Sequence, residues 1–235
     1  MSDGERLAFE QMLVHNLKAP LTGIMASLEM LHDGDLGILS DVQRAAVTDM
    51  QSHGNDLVRM IDELLELGRT QSTSFVVHTV PVDPHEFLSV VRDEWDNRLT
   101  HLRSVVSPDV PDVLADATIL RRVFDNLLMN ASVHAGPNVS VILQAEQSGD
   151  FVRLTVADDG PGIPREEAER IFDPFVTLDS SGTRRTHGLG LAYCRSALAS
   201  MRGTISLAPS DHGAMFVMQL PAAKVLTRQA LEQEQ

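Results

Sequence analysis

Two aspartates, Asp158 and Asp159, stand in "VADDGPGIP" (156–164), where two glycines and two prolines surround them directly after a β-branched stretch. Gly160 and Gly162 let backbone come close to a ligand, and a carboxylate at a strand end can accept a hydrogen bond from a group such as an adenine amine. Alone, such a loop is as often an ordinary turn. A second glycine pair, Gly188 and Gly190 flanking Leu189 in "THGLGLAYCR" (186–195), opens a helix. Free N–H groups at a helix start hold phosphates. Neither loop follows G-x-x-x-x-G-K-[ST] or G-x-G-x-x-G. Between them lies "PFVTLDSSGTRRT" (174–186), long, polar and with one glycine, which reads as a mobile lid. Its Arg184 and Arg185 either reach phosphate oxygens or form a solvated charge pair, two readings of about equal weight.

Two more sets of side chains carry chemistry. In "ILRRVFDNLLMNASVHA" (119–135), Val123, Leu127 and Met129 are read as apolar members, while Asn126 and Asn130 fall one turn apart on one face. Stacked amides are costly to bury without partners, and an oxygen on Mg²⁺ would give them one. In "VHNLKAPLTGI" (14–24), His15 precedes Asn16, and Pro20 follows within a helical pattern. Pro20 cannot donate to the carbonyl of Asn16, and its ring crowds that turn, so the helix is expected to bend beside the histidine.

The elements that must position these groups differ between the two parts of the chain. Val14, Leu17, Leu21, Ile24, Leu28 and Leu31 are spaced alternately three and four apart, as are Ala46, Met50, His53, Leu57, Met60, Leu64 and Leu67. That is a heptad seam, with His53 read as a tolerated polar core position. "HDGDLGILSD" (32–41) interrupts it with two glycines and an Asp/Ser helix-start signal. An antiparallel helical hairpin follows, and two helices cannot cover their own seams, so a homodimer forming a four-helix bundle is expected. With Val14 on the seam, His15 projects to its side. Beyond residue 74 the texture changes to strand candidates at 75–80, 103–107, 139–145, 151–157, 203–208 and 214–220, and helices at 84–99, 116–134 and 188–201. This reads as an α/β layer domain. Seven of the eight phenylalanines, all but Phe9, lie between 75 and 216, which places the larger core there. The domains expected are 1–73, 74–222 and a weakly amphipathic tail, 223–235.

Composition narrows the partners. Nineteen basic against thirty-three acidic residues leave a net charge of −14, which repels nucleic-acid phosphates and anionic lipid. No apolar run reaches the length of a membrane span, and the polar start "MSDGERLAFEQ" is no signal peptide, so a cytoplasmic chain with no membrane or nucleic-acid partner is expected. Cys194, the one cysteine, excludes an intrachain disulfide and thiolate zinc sites, and reads as a small buried apolar residue.

"HNLKAPL", "NLLMNA", "DDGPGI", "IFDPF" and "HGLGL" occur in the order and approximate spacing of the H, N, G1, F and G2 boxes of bacterial sensor histidine kinases. From about residue 5 to 222 the chain resembles that family's catalytic core. The resemblance implies a dimeric hairpin carrying the phosphoryl acceptor, His15, joined to an ATP-binding α/β sandwich of the Bergerat type. It further implies that Asp158 binds adenine, that Asn130 ligates Mg²⁺, that Gly160 and Gly162 shape the adenine loop, and that Gly188 and Gly190 border the phosphates. In related ATPases a glutamate at the position of Asn126 activates water. An amide cannot serve as that base, which spares ATP for a protein nucleophile.

The departures shape the expectation. Kinases of this family usually place Glu or Asp directly after the histidine to take the Nδ1 proton. Asn16 accepts the hydrogen bond without the charge, so autophosphorylation is expected to be slow. Ala19 lacks the hydroxyl or amide that positions water in kinases that also dephosphorylate their partner, so that phosphatase activity is not expected. Val133 replaces a common lysine and Thr186 the first G2 glycine. The reading is an ATP-dependent histidine autokinase of a two-component system, passing phosphate from His15 to an aspartate of a response-regulator receiver domain. A kinase-like scaffold that binds ATP and docks a regulator is the alternative. A Bergerat-fold serine kinase leaves the hairpin and "HNLKAPL" unexplained. Only 14 residues precede His15, so the expectation is either a kinase addressed by a separate sensory protein or a fragment of a longer one.

Overall fold

The computed structural model describes residues 3–70, 75–99, 101–135, 138–178 and 187–223, with side chains in the first helix from Lys18 onward. Contacts divide the chain into two compact units between Phe75 and Val76.

The first unit is the expected helical hairpin. Helix α1 (Asp3–Asp33) runs through Pro20 without interruption. Gly34 and Gly37 turn the chain at φ +86° and +117°, conformations that L side chains rarely adopt. Helix α2 (Asp41–Thr70) then starts on a reciprocal cap. The Ser40 N–H donates to Gln43 Oε1 at 2.9 Å while the Gln43 N–H donates to Ser40 Oγ at 3.4 Å, satisfying two donors the helix would leave orphaned. Mid-helix Gly54, a choice that costs about 1 kcal/mol in propensity, is explained by close approach. A Cβ there would lie 2.2 Å from the sulfur of Met25. Lys18 and Asp62 form an ion pair between the helices.

The single seam read from the sequence resolves into two stripes. Leu21 and Leu28 are buried, as are Val47 and Ile61, neither of which belongs to the seam. Ile24, Met50, Leu57 and Leu64 stay 57%, 54%, 44% and 38% exposed. One stripe meets the partner helix of the hairpin and the other faces outward, and 3-4 spacing in the sequence merges the two. His53 is a correction: it is exposed, its Nδ1 2.9 Å from the carbonyl of Asp49.

The second unit is an α/β sandwich. A short ribbon pairs β1 (Val80–Val82) with β3 (Val113–Ala115), and the main sheet has the order β2-β4-β5-β7-β6. Its strands are β2 (His101–Val106), β4 (Ser140–Ser148), β5 (Phe151–Asp158), β6 (Thr204–Ala208) and β7 (Met215–Pro221). β2 runs parallel to β4, and the other pairs are antiparallel. Alternate residues Val141, Leu143 and Ala145, Val152, Leu154 and Val156, and Phe216, Met218 and Leu220 are buried in the core, the period of two that a one-sided sheet requires.

Helices α3 (Pro84–Trp95), α4 (Ala117–His134) and α5 (Gly190–Ser200) contribute the other half of that core. Each of the first two begins where the sequence supplies a cap. Asp83 precedes Pro84, and Asp116 accepts from the N–H groups of Thr118 and Ile119. Along α4 the buried face is Leu120, Val123, Phe124, Leu127, Leu128 and Ala131, and of the three apolar members read from the sequence Val123 and Leu127 lie on it while Met129 is 41% exposed. The expected strand at 75–80 is also corrected. Only Val80 to Val82 pair, because their partner β3 is three residues long.

Candidate nucleotide site and phosphoacceptor helix

β5 ends at Asp158, where its hydrogen-bonding ladder gives way to the glycine-rich turn. One carboxylate oxygen, Oδ1, accepts the Gly160 N–H at 2.9 Å and the Ala214 N–H at 3.1 Å. Those two bonds fix the rotamer and leave Oδ2 to accept from a ligand. Three close backbone approaches enclose this carboxylate. A Cβ on Gly160 would lie 2.4 Å from the Ala135 Cβ, one on Gly162 (φ +74°) 2.9 Å from the Gly213 carbonyl oxygen, and one on Gly213 (φ +69°) 1.7 Å from the Asp158 carbonyl oxygen. Gly213 and Ala214 were not identified from sequence. They lie more than fifty residues away, and the "SDHG" turn before β7 was the only local signal.

The neighbouring aspartate has different work. Asp159 Oδ1 accepts the Ser140 N–H at 2.8 Å and ties the start of β4 to the end of β5. That backbone hydrogen bond holds the Asp159 carboxyl below the usual aspartate range, with smaller help from the Ser140 side chain and His101.

α4 presents its amides beside this turn and the start of α5. The Asn126 Nδ2 donates to the Arg122 carbonyl at 3.0 Å, which turns Oδ1 toward Gly190. A Cβ on Gly190 would lie 2.9 Å from that oxygen, so the glycine makes room for the amide. Asn130 is half-buried one turn further on, and its side chain takes no hydrogen bond among the described residues. Below them Cys194 is buried, its thiol donating to the Val123 carbonyl, and burial pushes it far from thiolate formation, in keeping with a packing role. Burial likewise raises Tyr193 to about 12 against the opposing pull of Arg122, whose guanidinium lies 5.2 Å from the ring centroid.

The second glycine loop is stitched to the "IFDPF" segment. The Phe175 N–H donates to the Gly188 carbonyl at 3.0 Å, and Gly188 has φ +67°. A Cβ there would lie 2.6 Å from the Val176 carbonyl oxygen. Leu189 is fully buried, and α5 starts without a side-chain cap, so its first N–H groups remain for a ligand. Arg195 adds an ion pair to Asp173 at 2.8 Å. Arg184 and Arg185 lie outside the described residues. His15 and Asn16 fall within α1, one turn before Pro20, and their side chains lie outside the described set.

The donor set suits a magnesium nucleotide. A strand-end carboxylate with one oxygen spare fits an adenine amine, cramped glycines admit a flat base and phosphates, and a neutral amide oxygen fits an ion held chiefly by phosphates and water.

Comparison with known proteins agrees with this geometry. Residues 115–224 match the model of the "Histidine kinase-, DNA gyrase B-, and HSP90-like ATPase" domain, and residues 5–73 match the "His Kinase A (phospho-acceptor) domain". The chain belongs to the sensor histidine kinase family. Among curated relatives, the adaptive-response sensory kinase SasA of Trichormus variabilis is 29% identical over 92% of this chain and 58% of its own length. Full-length ShkA, solved in complex with AMPPNP, superimposes with a TM-score of 0.76 at 29% identity, over 93% of this chain and 46% of that one. ThkA, solved in complex with the response regulator TrrA, shares the fold with a TM-score of 0.63 at 22% identity, over 94% of this chain and 64% of that one. The chain thus spans little more than half the length of SasA. No helix among the described residues is long and apolar enough to cross a membrane.

Proposed function

We propose that this chain is an ATP-dependent protein histidine autokinase that phosphorylates itself on His15 and passes the phosphoryl group to a response-regulator aspartate. The observation that carries the proposal is the Asp158 carboxylate, held by the Gly160 and Ala214 N–H groups with one oxygen spare, beside an amide-bearing helix that also packs on the second glycine loop. Asp158 takes the adenine amine. Asn130 holds Mg²⁺, which draws charge from the phosphates. Asn126 lies beside Gly190 and, being an amide, does not deprotonate water. Gly188, Leu189 and Gly190 deliver the α5 N–H groups to the phosphates, and Arg184 and Arg185 supply positive charge for them. A neutral His15 imidazole is the nucleophile.

The exposed stripe of Ile24, Met50, Leu57 and Leu64 supports a homodimer, in which a second hairpin covers it. Domain limits of 1–73 and 74–222, a cytoplasmic location and input from a separate sensory protein complete the reading. ThkA, which was captured with a response regulator, supports the choice of partner. Asn16 makes the autokinase slow, and Ala19 leaves it without the water-positioning group of the phosphatase reaction.

Asn16 also favours a second reading, an ATP-binding scaffold that docks a regulator without useful transfer. Incubation with γ-labelled ATP separates them. The autokinase gives acid-labile label on the wild type, none on His15→Ala, and a rate on Asn16→Asp raised about tenfold or more, a fraction of what a general base contributes. A wild type and an Asn16→Asp variant that both stay unlabelled would leave the scaffold standing.

A further inference from the structure

Asp173, Pro174, Phe175 and Val176 make the turn that fastens the second glycine loop. The Val176 N–H donates to the Asp173 carbonyl at 3.3 Å, Pro174 stands second, and Phe175 stands third with φ +65°. That is the pattern of a type II turn, whose third place favours glycine. A phenylalanine is strained there and stays only where its surroundings hold it. Two contacts do so. Phe172, just before the turn, is buried, with its ring edge-on to Phe216 of β7 and 6.4 Å between centroids. Asp173 Oδ1 accepts from the Arg195 guanidinium at 2.8 Å, and the same guanidinium stands 6.0 Å from the Phe172 ring centroid. Arg195 belongs to α5, whose first residue is Gly190.

The turn therefore grips one short stretch of chain twice, at Arg195 through the Asp173 carboxylate and at Gly188 through the Phe175 N–H. Between these two points the Gly188 carbonyl is set relative to the axis of α5. A trans peptide points its carbonyl and the following N–H in opposite directions, and no peptide among the described residues is cis. The bond to Phe175 thus aims the Leu189 N–H away from the turn. The geometry points to Asp173 and Arg195 as a positioning pair that aims the Leu189 N–H at a phosphate of the nucleotide, an assignment that rests on the reading of this loop as the phosphate-binding part of an ATP site. An exposed ion pair adds little to stability, and its use here is direction. The peptide between Gly188 and Leu189 is set before the nucleotide arrives, so binding gives up less freedom there. Adenine recognition by Asp158, at the end of β5, does not pass through the pair.

The test titrates the full chain with magnesium ATP and, separately, with adenosine, followed by NMR, as wild type, Asp173→Lys, Arg195→Asp and the double exchange. Asp173→Lys sets two positive charges face to face. Its ATP affinity is expected to fall about fivefold, the upper range for an exposed pair. Adenosine carries no phosphate, so its affinity should stay at the wild-type value, whereas a defect of packing would weaken both ligands. Exchanging the two charges in the double variant should bring ATP affinity back to within about twofold of wild type. An Asp173→Lys chain that binds ATP as the wild type does, equal losses for ATP and adenosine, or a double exchange no tighter than either single variant would each overturn the assignment. A wild type that binds neither ligand would overturn the nucleotide site itself, and one that holds ATP no more tightly than adenosine would overturn the phosphate loop and this pair while leaving Asp158 its adenine.

Discussion

Asp158 spends one carboxylate oxygen on the N–H groups of Gly160 and Ala214 and keeps the other for a ligand, while Asp159 spends its carboxylate on Ser140. Asp158→Asn keeps the shape but removes the charge that strengthens the outward hydrogen bond, a difference of about 1.5–3 kcal/mol. ATP affinity measured by calorimetry should fall roughly ten- to a hundredfold, with thermal stability little changed. Asp159→Asn should do the reverse, leaving nucleotide affinity intact and lowering the melting temperature. Because the folded state depresses the Asp159 pKa, its stabilisation is present above the ordinary aspartate range and is lost as pH falls through the folded value. The gap in melting temperature between wild type and Asp159→Asn should therefore be open at neutral pH and close in acid. The sequence showed an aspartate pair beside glycines but not this division of labour, because the donors, Ala214 and Ser140, stand just before β7 and at the start of β4 and meet the pair only through the sheet.

At the scale of elements, long and strongly periodic stretches were legible. α2 and α4 follow their apolar spacing, and α3 begins at a capping aspartate followed by proline, as its sequence announces. β3 was not legible, since three residues carry too little alternation to register, and β1 was misplaced because its limits are set by that partner. The hairpin seam carried two stripes under one pattern, and this is testable. Leu57→Glu puts a charge into the open stripe and leaves Leu21, Leu28, Val47 and Ile61 untouched. The expected result is a monomer by light scattering that retains wild-type helicity by circular dichroism. A dimer that survives the change would place the interface elsewhere.

At the scale of the molecule, the larger unit has a continuous core of its own, from Leu88 in α3 to Ala222 after β7. Residues 76–223 expressed alone should fold cooperatively and bind ATP with the affinity of the whole chain, yet take no label. Adding a hairpin made of residues 1–75 should supply the acceptor. Label on the larger unit itself would contradict the assignment of His15. The order of the motifs predicted this two-part plan, because each motif needs a particular element: a helix flank for the histidine, a strand end for Asp158, and a helix start for Gly190.

The bond between the Phe175 N–H and the Gly188 carbonyl closes the chain on itself at the foot of the segment between them. The separation of Phe175 and Gly188 is therefore set by their own backbone and not by the chain that joins them. Doubling the length of such a loop costs only about 0.6 kcal/mol in closure entropy. Insertions or deletions between Leu178 and His187 should therefore leave the register of β5, α5 and the sheet unshifted, because Phe175 and Gly188 stay joined whatever length of chain connects them.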